Sequence, residues 1–266
     1  MKDFVKENER ILTEWKRKYN DDDNFADDGI MFRGMFYFDG ANWRRDKSGE
    51  ESALWAKAPI RILYLTKDQN KGGGDAWDVR GETYHYPDEN TKPEENLFYR
   101  KYAFHRNLVY TLYGLSLTTP NKMIQYDEIV DQKALEYSDA CCFARINVKK
   151  IAGSRSISNN ILRKYLENDR DLIIKQVDCL DADILVCCGY SEVEGNLIMD
   201  FLNSNGYSFN CVEPDWVYYD SKHNKVAINT WHLSARISSE YFYTEMIGAY
   251  HKFLHECPSF LCVTRK

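Results

Sequence analysis

The chain has 266 residues, of which 44% are hydrophobic and 29% are charged, and a formal net charge of −6 at pH 7. This length is enough for one sizeable core, and the composition excludes a disordered or fibrous chain. No run of about 18 apolar residues occurs, which excludes a membrane-spanning helix, and acids occupy the start of the chain where a signal peptide would be apolar. We therefore expect a cytoplasmic protein without a membrane partner.

The first fifty residues predict an N-terminal extension that is helical and then aromatic. Helical spacing runs from Asn8 to Tyr19, three aspartates at 21–23 interrupt it, and an aromatic segment follows at 31–38. No linker rich in proline, glycine or serine comes next. We therefore expect residues 1–50 to pack on one α/β domain formed by residues 51–266.

Four apolar runs predict the strands of a parallel sheet. They are residues 59–66, 140–148, 182–189 and 225–230. Amphipathic segments predict helices at residues 97–115, 158–180, 192–203 and 239–256. Strands that alternate with helices are typical of a doubly wound parallel sheet with helices on both faces.

A polar loop of about thirty residues follows the first predicted strand, from Lys67 to about Asn96. Its glycines at 72–74 lack the Lys-Ser/Thr of a P-loop and the spacing of a dinucleotide fingerprint, so they are a weak nucleotide motif. Loops of this length without periodicity are usually functional or mobile.

Polar residues follow the predicted strands where parallel sheets bind their ligands, at the carboxyl edge. Asp68 could activate a water molecule or cap its own turn, and Asn147 could read a planar amide edge or fix its own turn. His232 could bond only to backbone groups, but its neighbours Ser234 and Arg236 favour a pocket for developing negative charge. A site at this edge is the hypothesis that joins these residues.

The eight cysteines show neither zinc nor disulfide spacing, so we expect small core residues and no metal or cofactor. Residues 143–164 contain six basic residues and no acid, although the chain as a whole is acidic. These residues are Arg145, Lys149, Lys150, Arg155, Arg163 and Lys164. The stretch predicts either a DNA-facing patch or an ordinary solvated surface.

The order of these motifs resembles the uracil-DNA glycosylase superfamily over about residues 59–256. The motifs are an Asp-containing loop after the first strand, a strand ending in Asn147, the strand Asp-Ile-Leu-Val-Cys-Cys-Gly at 183–189, and the sequence His-x-Ser at 232–234. The resemblance implies a three-layer α/β/α fold with a four-stranded parallel sheet. It also implies a pocket at the carboxyl edge that receives a base flipped out of DNA.

The same resemblance assigns roles to individual residues. Asp68 would activate water, Asn147 would read the base, and His232 would stabilise the leaving base as an anion. Further substrate contacts would come from Gln69, Asn70 and an aromatic residue that stacks on the base, for which Trp77, Tyr84 and Tyr86 are candidates. By the resemblance, Ser234 would bind a nearby phosphate. Under the glycosylase hypothesis, further phosphate contacts would come from Arg236 and from basic residues of the 143–164 stretch: Lys149, Lys150 and Arg155.

Three positions depart from the family pattern. Gln69 and Asn70 follow the first-loop acid where a proline is common, Leu233 replaces a proline, and Arg236 replaces a hydrophobic wedge. We interpret the chain as a divergent uracil-DNA glycosylase-like hydrolase that cleaves the N-glycosidic bond of a flipped, damaged base. The alternatives are a member of the same fold that binds a base or nucleotide without glycosylase chemistry, and an unrelated α/β binding protein.

Overall fold

The structure is a computed structural model that describes residues 2–19, 24–38, 43–45, 50–67, 77–80, 102–153 and 157–262. Within these ranges the helices are α1 Phe4–Tyr19, α2 Glu50–Lys57, α3 Ala103–Leu117, α4 Asp131–Ala140, α5 Asn159–Asn168, α6 Arg170–Leu180, α7 Leu197–Asn203 and α8 Ser239–Glu256. The strands are β1 Ala26–Asp27, β2 Gly29–Met31, β3 Phe36–Phe38, β4 Trp43–Arg45, β5 Ile62–Thr66, β6 Trp77–Asp78, β7 Phe143–Asn147, β8 Ile184–Cys188, β9 Tyr190–Ser191, β10 Gly195–Asn196, β11 Asn210–Glu213, β12 Val217–Asp220 and β13 Lys225–Thr230.

The main sheet has seven strands in the order β11-β12-β13-β8-β5-β7-β2. The four strands predicted from sequence, β5, β7, β8 and β13, are parallel neighbours at its centre. The flanking strands β2, β11 and β12 are antiparallel, so the prediction of a four-stranded, purely parallel sheet is wrong. The sequence predicts an extended segment at residues 209–220, which contains β11 and β12, but β2 escaped prediction because its three residues give no long apolar run.

Apolar side chains alternate between the two faces of the central strands and build two core clusters. On one face, Tyr64 and its neighbours pack against side chains of α3, α4 and α8. On the other face, Leu63 and Leu65 pack with side chains of α1, α5, α6 and α7. Helices therefore cover both faces of the sheet, as expected for an α/β fold. None of the described helices is long and apolar enough to cross a bilayer.

The helix predicted at residues 158–180 is divided at Asp169 into α5 and α6. The buried carboxylate of Asp169 accepts hydrogen bonds from Lys18 Nζ at 2.7 Å and from the Tyr19 hydroxyl at 2.6 Å. Both donors belong to the end of α1. The break therefore serves a tertiary contact between distant parts of the chain, which the periodicity of one segment does not reveal.

A buried polar network, hereafter the core network, joins the N-terminal residues to the sheet. Lys150 Nζ lies 2.7 and 2.6 Å from the two carboxylate oxygens of Asp28, and neither side chain is exposed. Gln176 Nε2 donates to Asp28 Oδ1 and to Asn8 Oδ1, both at 2.8 Å. Asn8 Nδ2 in turn donates to the Asp28 carbonyl at 2.8 Å. Burial lowers the pKa of Lys150, and the adjacent Asp28 charge opposes that effect.

Candidate functional site

The loop at residues 231–236 leaves the carboxyl end of β13 and is held against α3. The Leu233 side chain is fully buried in the core. Asn107 Nδ2, on α3, donates a hydrogen bond of 2.7 Å to the Leu233 carbonyl. These contacts fix the loop by packing and hydrogen bonding, although it lacks the proline expected at this position.

The contacts of His232 with Ser234 fix the tautomer of its imidazole ring. The backbone N–H of Ser234 donates to His232 Nδ1 at 3.3 Å, and the Ser234 hydroxyl lies 2.7 Å from the same nitrogen. Because Nδ1 accepts a hydrogen bond, the neutral ring carries its proton on Nε2. Desolvation lowers the pKa of His232 to about 4, with further lowering by the charges of Arg145 and Lys67. At neutral pH the ring is therefore an uncharged hydrogen-bond donor.

The surroundings of His232 are cationic and aromatic. The Phe104 ring centre lies 5.6 Å from that of His232, and the Arg145 guanidinium carbon lies 4.5 Å from the Phe104 ring centre. Arg145 is only 3% exposed. A buried guanidinium beside Lys67 disfavours the imidazolium form of His232. The same positive charges favour a ligand that carries or develops negative charge.

Asn147 supplies an amide at the end of β7, next to β5 in the sheet. Its side chain is fully buried, and its Oδ1 accepts a hydrogen bond from the hydroxyl of Thr66, its partner in register. Its backbone N–H donates to Asp28 Oδ2 at 2.7 Å. Asn147 Nδ2 has no hydrogen-bond partner among the described residues. Buried donors without a partner are rare, and this one is available to a ligand acceptor.

Strand order decides how these groups connect. β7 and β13 are separated by β5 and β8, so their ends lie about 14 Å apart, or three interstrand spacings. Arg145 lies two residues before Asn147, and therefore on the same face of β7. The contacts from Arg145 through Phe104 to His232 span the distance between the two strands. The structure thus brings His232, Arg145 and Lys67 into one electrostatic environment.

The predicted residues of the site are only partly described. Ser234 and Arg236 lie exposed on the loop after β13. The backbone of Trp77 forms strand β6, paired with β1. Outside the described residues lie Asp68, Gln69, Asn70, Tyr84, Tyr86 and Arg155. The roles assigned to those six residues stay predictions.

Two predicted phosphate contacts conflict with the structure. Lys150 is fully buried in its ion pair with Asp28. Lys149 is 6% exposed, donates through Nζ to the Ile151 carbonyl, and lies 5.3 Å from the centre of the Tyr165 ring. Both lysines follow β7 in the chain and have buried side chains, so neither ammonium group is exposed for contact with DNA. The sequence showed the cluster of positive charges but not the partners that bury it.

Sequence reasoning missed three residues of the site. Arg145 was counted only as a surface cation, although its spacing of two from Asn147 placed both on one face of the strand. Phe104 gave no signal, because an aromatic residue near the start of a helix is ordinary core composition. Lys67 directly precedes Asp68 and was counted only as the start of the loop.

Comparisons of the chain with protein-family models, with curated proteins and with solved structures give no match. Among the described residues, no group of three or more His, Cys, Asp or Glu side chains is placed to hold a metal ion. The functional interpretation therefore depends on the geometry around His232 and Asn147.

Proposed function

We propose that the chain hydrolyses the N-glycosidic bond of a damaged base, as a divergent uracil-DNA glycosylase. The observation that carries the proposal is the neutral His232, held by Ser234 beside Arg145 and Lys67. A base such as uracil leaves as an anion. A neutral Nε2–H donor in a cationic environment stabilises that anion without first protonating it.

In this proposal the bond between the sugar C1′ and the base nitrogen breaks, and its electron pair leaves with the base. A water molecule forms the new bond to C1′ and gives its proton to a carboxylate, the role that the resemblance assigns to Asp68. His232 donates a hydrogen bond to the departing base. Asn147 Nδ2, buried and without a partner among the described residues, supplies a donor for a carbonyl oxygen on the base edge.

A second candidate function is the binding of a base or free nucleotide without DNA. The observation that favours it is the burial of Lys149 and Lys150, since a DNA interface needs exposed cations that displace counterions from phosphates. Arg163, in the same stretch, lies 3.6 Å from the Glu194 carboxylate. The net charge of −6 points the same way.

The proposal is tested with single- and double-stranded oligonucleotides that contain uracil, hypoxanthine or xanthine. Alkali treatment after incubation converts each abasic site into a strand break. We expect cleavage, and a loss of roughly 10²-fold in rate for His232→Ala. His255→Ala, on the exposed face of α8, is the matched control and should cleave at the wild-type rate.

The outcomes separate the two candidate functions. Absence of strand breaks with all three bases would contradict the glycosylase proposal. Saturable binding of a nucleotide or free base, weakened by Asn147→Ala, would then support the second candidate. Wild-type cleavage by His232→Ala would show that the leaving-group role is wrong.

A further inference from the structure

An aromatic cavity of about 210 Å³ lies beside the end of β13, separate from the residues around His232. Four of the described aromatic residues line it, each from a different part of the fold: Tyr190 in β9, Trp216 between β11 and β12, Trp231 after β13, and Tyr241 in α8. This volume is below the range of about 300–1,000 Å³ for drug-sized ligands. The cavity therefore fits a small group.

The three other aromatic rings of this cavity each contact the Trp231 ring. The Trp231 ring centre lies 5.1 Å from that of Trp216 at an interplanar angle of 75°, and 5.8 Å from that of Tyr190 at 78°. The Tyr241 ring lies 6.2 Å away at 42°. A slot for a flat base needs parallel faces on either side of the ligand. These rings meet edge-to-face or tilted, so they do not form such a slot, and a cavity with inclined aromatic sides suits a compact, rounded group.

The polar groups of the cavity favour a positive ligand. Asp215 is the acidic residue on its lining, and the described residues that line the cavity include neither lysine nor arginine. The hydroxyl of Thr230 is buried and has no hydrogen-bond partner among the described residues. Ring faces carry partial negative charge, and the carboxylate adds a full one.

Asp215 is held in place by a chain of amide hydrogen bonds. Asn229 Nδ2 donates to the Asp215 carbonyl at 2.7 Å, and Asn196 Nδ2 donates to Asn229 Oδ1 at 2.8 Å. Asp215 has a φ of 66°, in the left-handed region that few residues other than glycine, asparagine and aspartate adopt. The backbone at Asp215 is thus fixed beside the aromatic residues before any ligand binds.

We propose that this cavity binds a small organic cation, an alkylated ammonium group. Aromatic walls together with one carboxylate are the arrangement that recognises quaternary ammonium groups by cation–π attraction. The site is separate from the proposed glycosylase chemistry, because the lining residues do not include His232, Arg145 or Asn147.

The test is titration of the full chain with tetramethylammonium and choline at constant ionic strength. Binding is followed by calorimetry and by the NMR signals of the tryptophan indole N–H groups. The neutral probe is 3,3-dimethylbutan-1-ol, which has the shape of choline without its charge. We expect choline to bind about tenfold more tightly than the alcohol.

Two variants locate the site. Asp215→Asn keeps a residue that tolerates the left-handed backbone and removes the charge, and Tyr241→Ala removes a half-exposed wall. Each should weaken choline binding about tenfold, whereas the control Asp127→Asn, an exposed acid elsewhere, should not change it. Equal affinity for choline and the alcohol, no saturable binding, or wild-type binding by both variants would overturn the proposal. None of these measurements involves nucleic acid, so their failure is distinct from failure of the glycosylase assay.

Discussion

Two buried polar regions meet at β7, and they differ in how fully their hydrogen bonds are satisfied. In the core network, the three donors of Asn8, Lys150 and Gln176 all reach Asp28, although Gln176 Oε1 has no partner among the described residues. At the carboxyl edge, Asn147 Nδ2, Thr230 Oγ1 and Asn107 Oδ1 are buried without such partners. Unsatisfied buried groups cost stability.

Asn147 belongs to both regions, which shows what the difference means. Its backbone N–H donates a hydrogen bond to the Asp28 carboxylate. Its side-chain Oδ1 accepts a hydrogen bond from Thr66, whereas its Nδ2 has no partner among the described residues. A chain that can surround Asp28 with donors could also have supplied an acceptor for Asn147 Nδ2. We infer that the core network stabilises the fold and that the edge keeps its hydrogen-bonding capacity for a ligand.

The largest effect is expected in the core network. Asp28→Asn leaves the buried ammonium of Lys150 without its counterion, and loss of one partner of a buried ion pair costs about 3–5 kcal/mol. Urea denaturation measures this loss. Arg10→Ala, which breaks an exposed pair with Glu7, is the control and should lower the free energy of unfolding far less. Similar small losses in both variants would contradict the stabilising role of the network.

A smaller effect on stability and a larger one on binding are expected for Asn147→Ala. The Thr66 hydroxyl keeps its hydrogen bond to the Ile146 carbonyl, so the free energy of unfolding should fall by only about 1 kcal/mol. Affinity for a base or nucleotide should fall about tenfold or more, because a buried donor is lost. Calorimetric titration and urea denaturation measure the two quantities. Unchanged affinity would show that this amide does not contact the ligand.

The sequence alone predicts the central strands and one helix, but it does not predict which buried polar groups have partners. The apolar runs predicted all four central strands, and helix α8 has the predicted bounds of 239–256. His232 and Ser234, which are two residues apart, are hydrogen-bonded to each other, while the site to which they are assigned stays a prediction. Those features depend on local pattern alone.

Features that depend on tertiary partners could not be predicted. Lys150 looked like a surface cation because its counterion, Asp28, lies 122 residues away in the chain. Asp169 divides the predicted helix at 158–180 and contacts α1. Phe104 contacts His232 from α3, a distant part of the chain. Pattern shows that a residue is polar or apolar, but only the fold shows which group is beside it.

Protonation of His232 is expected to make the stability of the fold depend on pH. Its pKa of about 4 in the folded chain lies below the usual value of 6.5, so the folded state binds fewer protons than the unfolded state between these values. Its contribution to stability is present above about pH 6.5 and is lost as the pH falls toward 4. NMR titration, with the His232 signals assigned by their loss in His232→Asn, measures the midpoint. A midpoint near 6.5 would show that the ring is hydrated and able to become charged.

The smallest expected changes in the free energy of unfolding are those of variants at two buried threonines, Thr111 and Thr230. Thr111 Oγ1 bonds to the Tyr64 hydroxyl at 2.9 Å and to the Asn107 carbonyl at 2.7 Å, so Thr111→Val should lower the free energy of unfolding by about 1 kcal/mol. Thr230→Val removes a hydroxyl that has no hydrogen-bond partner in the described part of the chain, and should leave the free energy of unfolding unchanged or raise it by up to about 1 kcal/mol. Urea denaturation without ligand shows whether each substitution lowers or raises the free energy of unfolding. Equal losses would mean that the Thr230 hydroxyl is hydrogen-bonded in solution, so the edge would already be satisfied and would no longer differ from the core network.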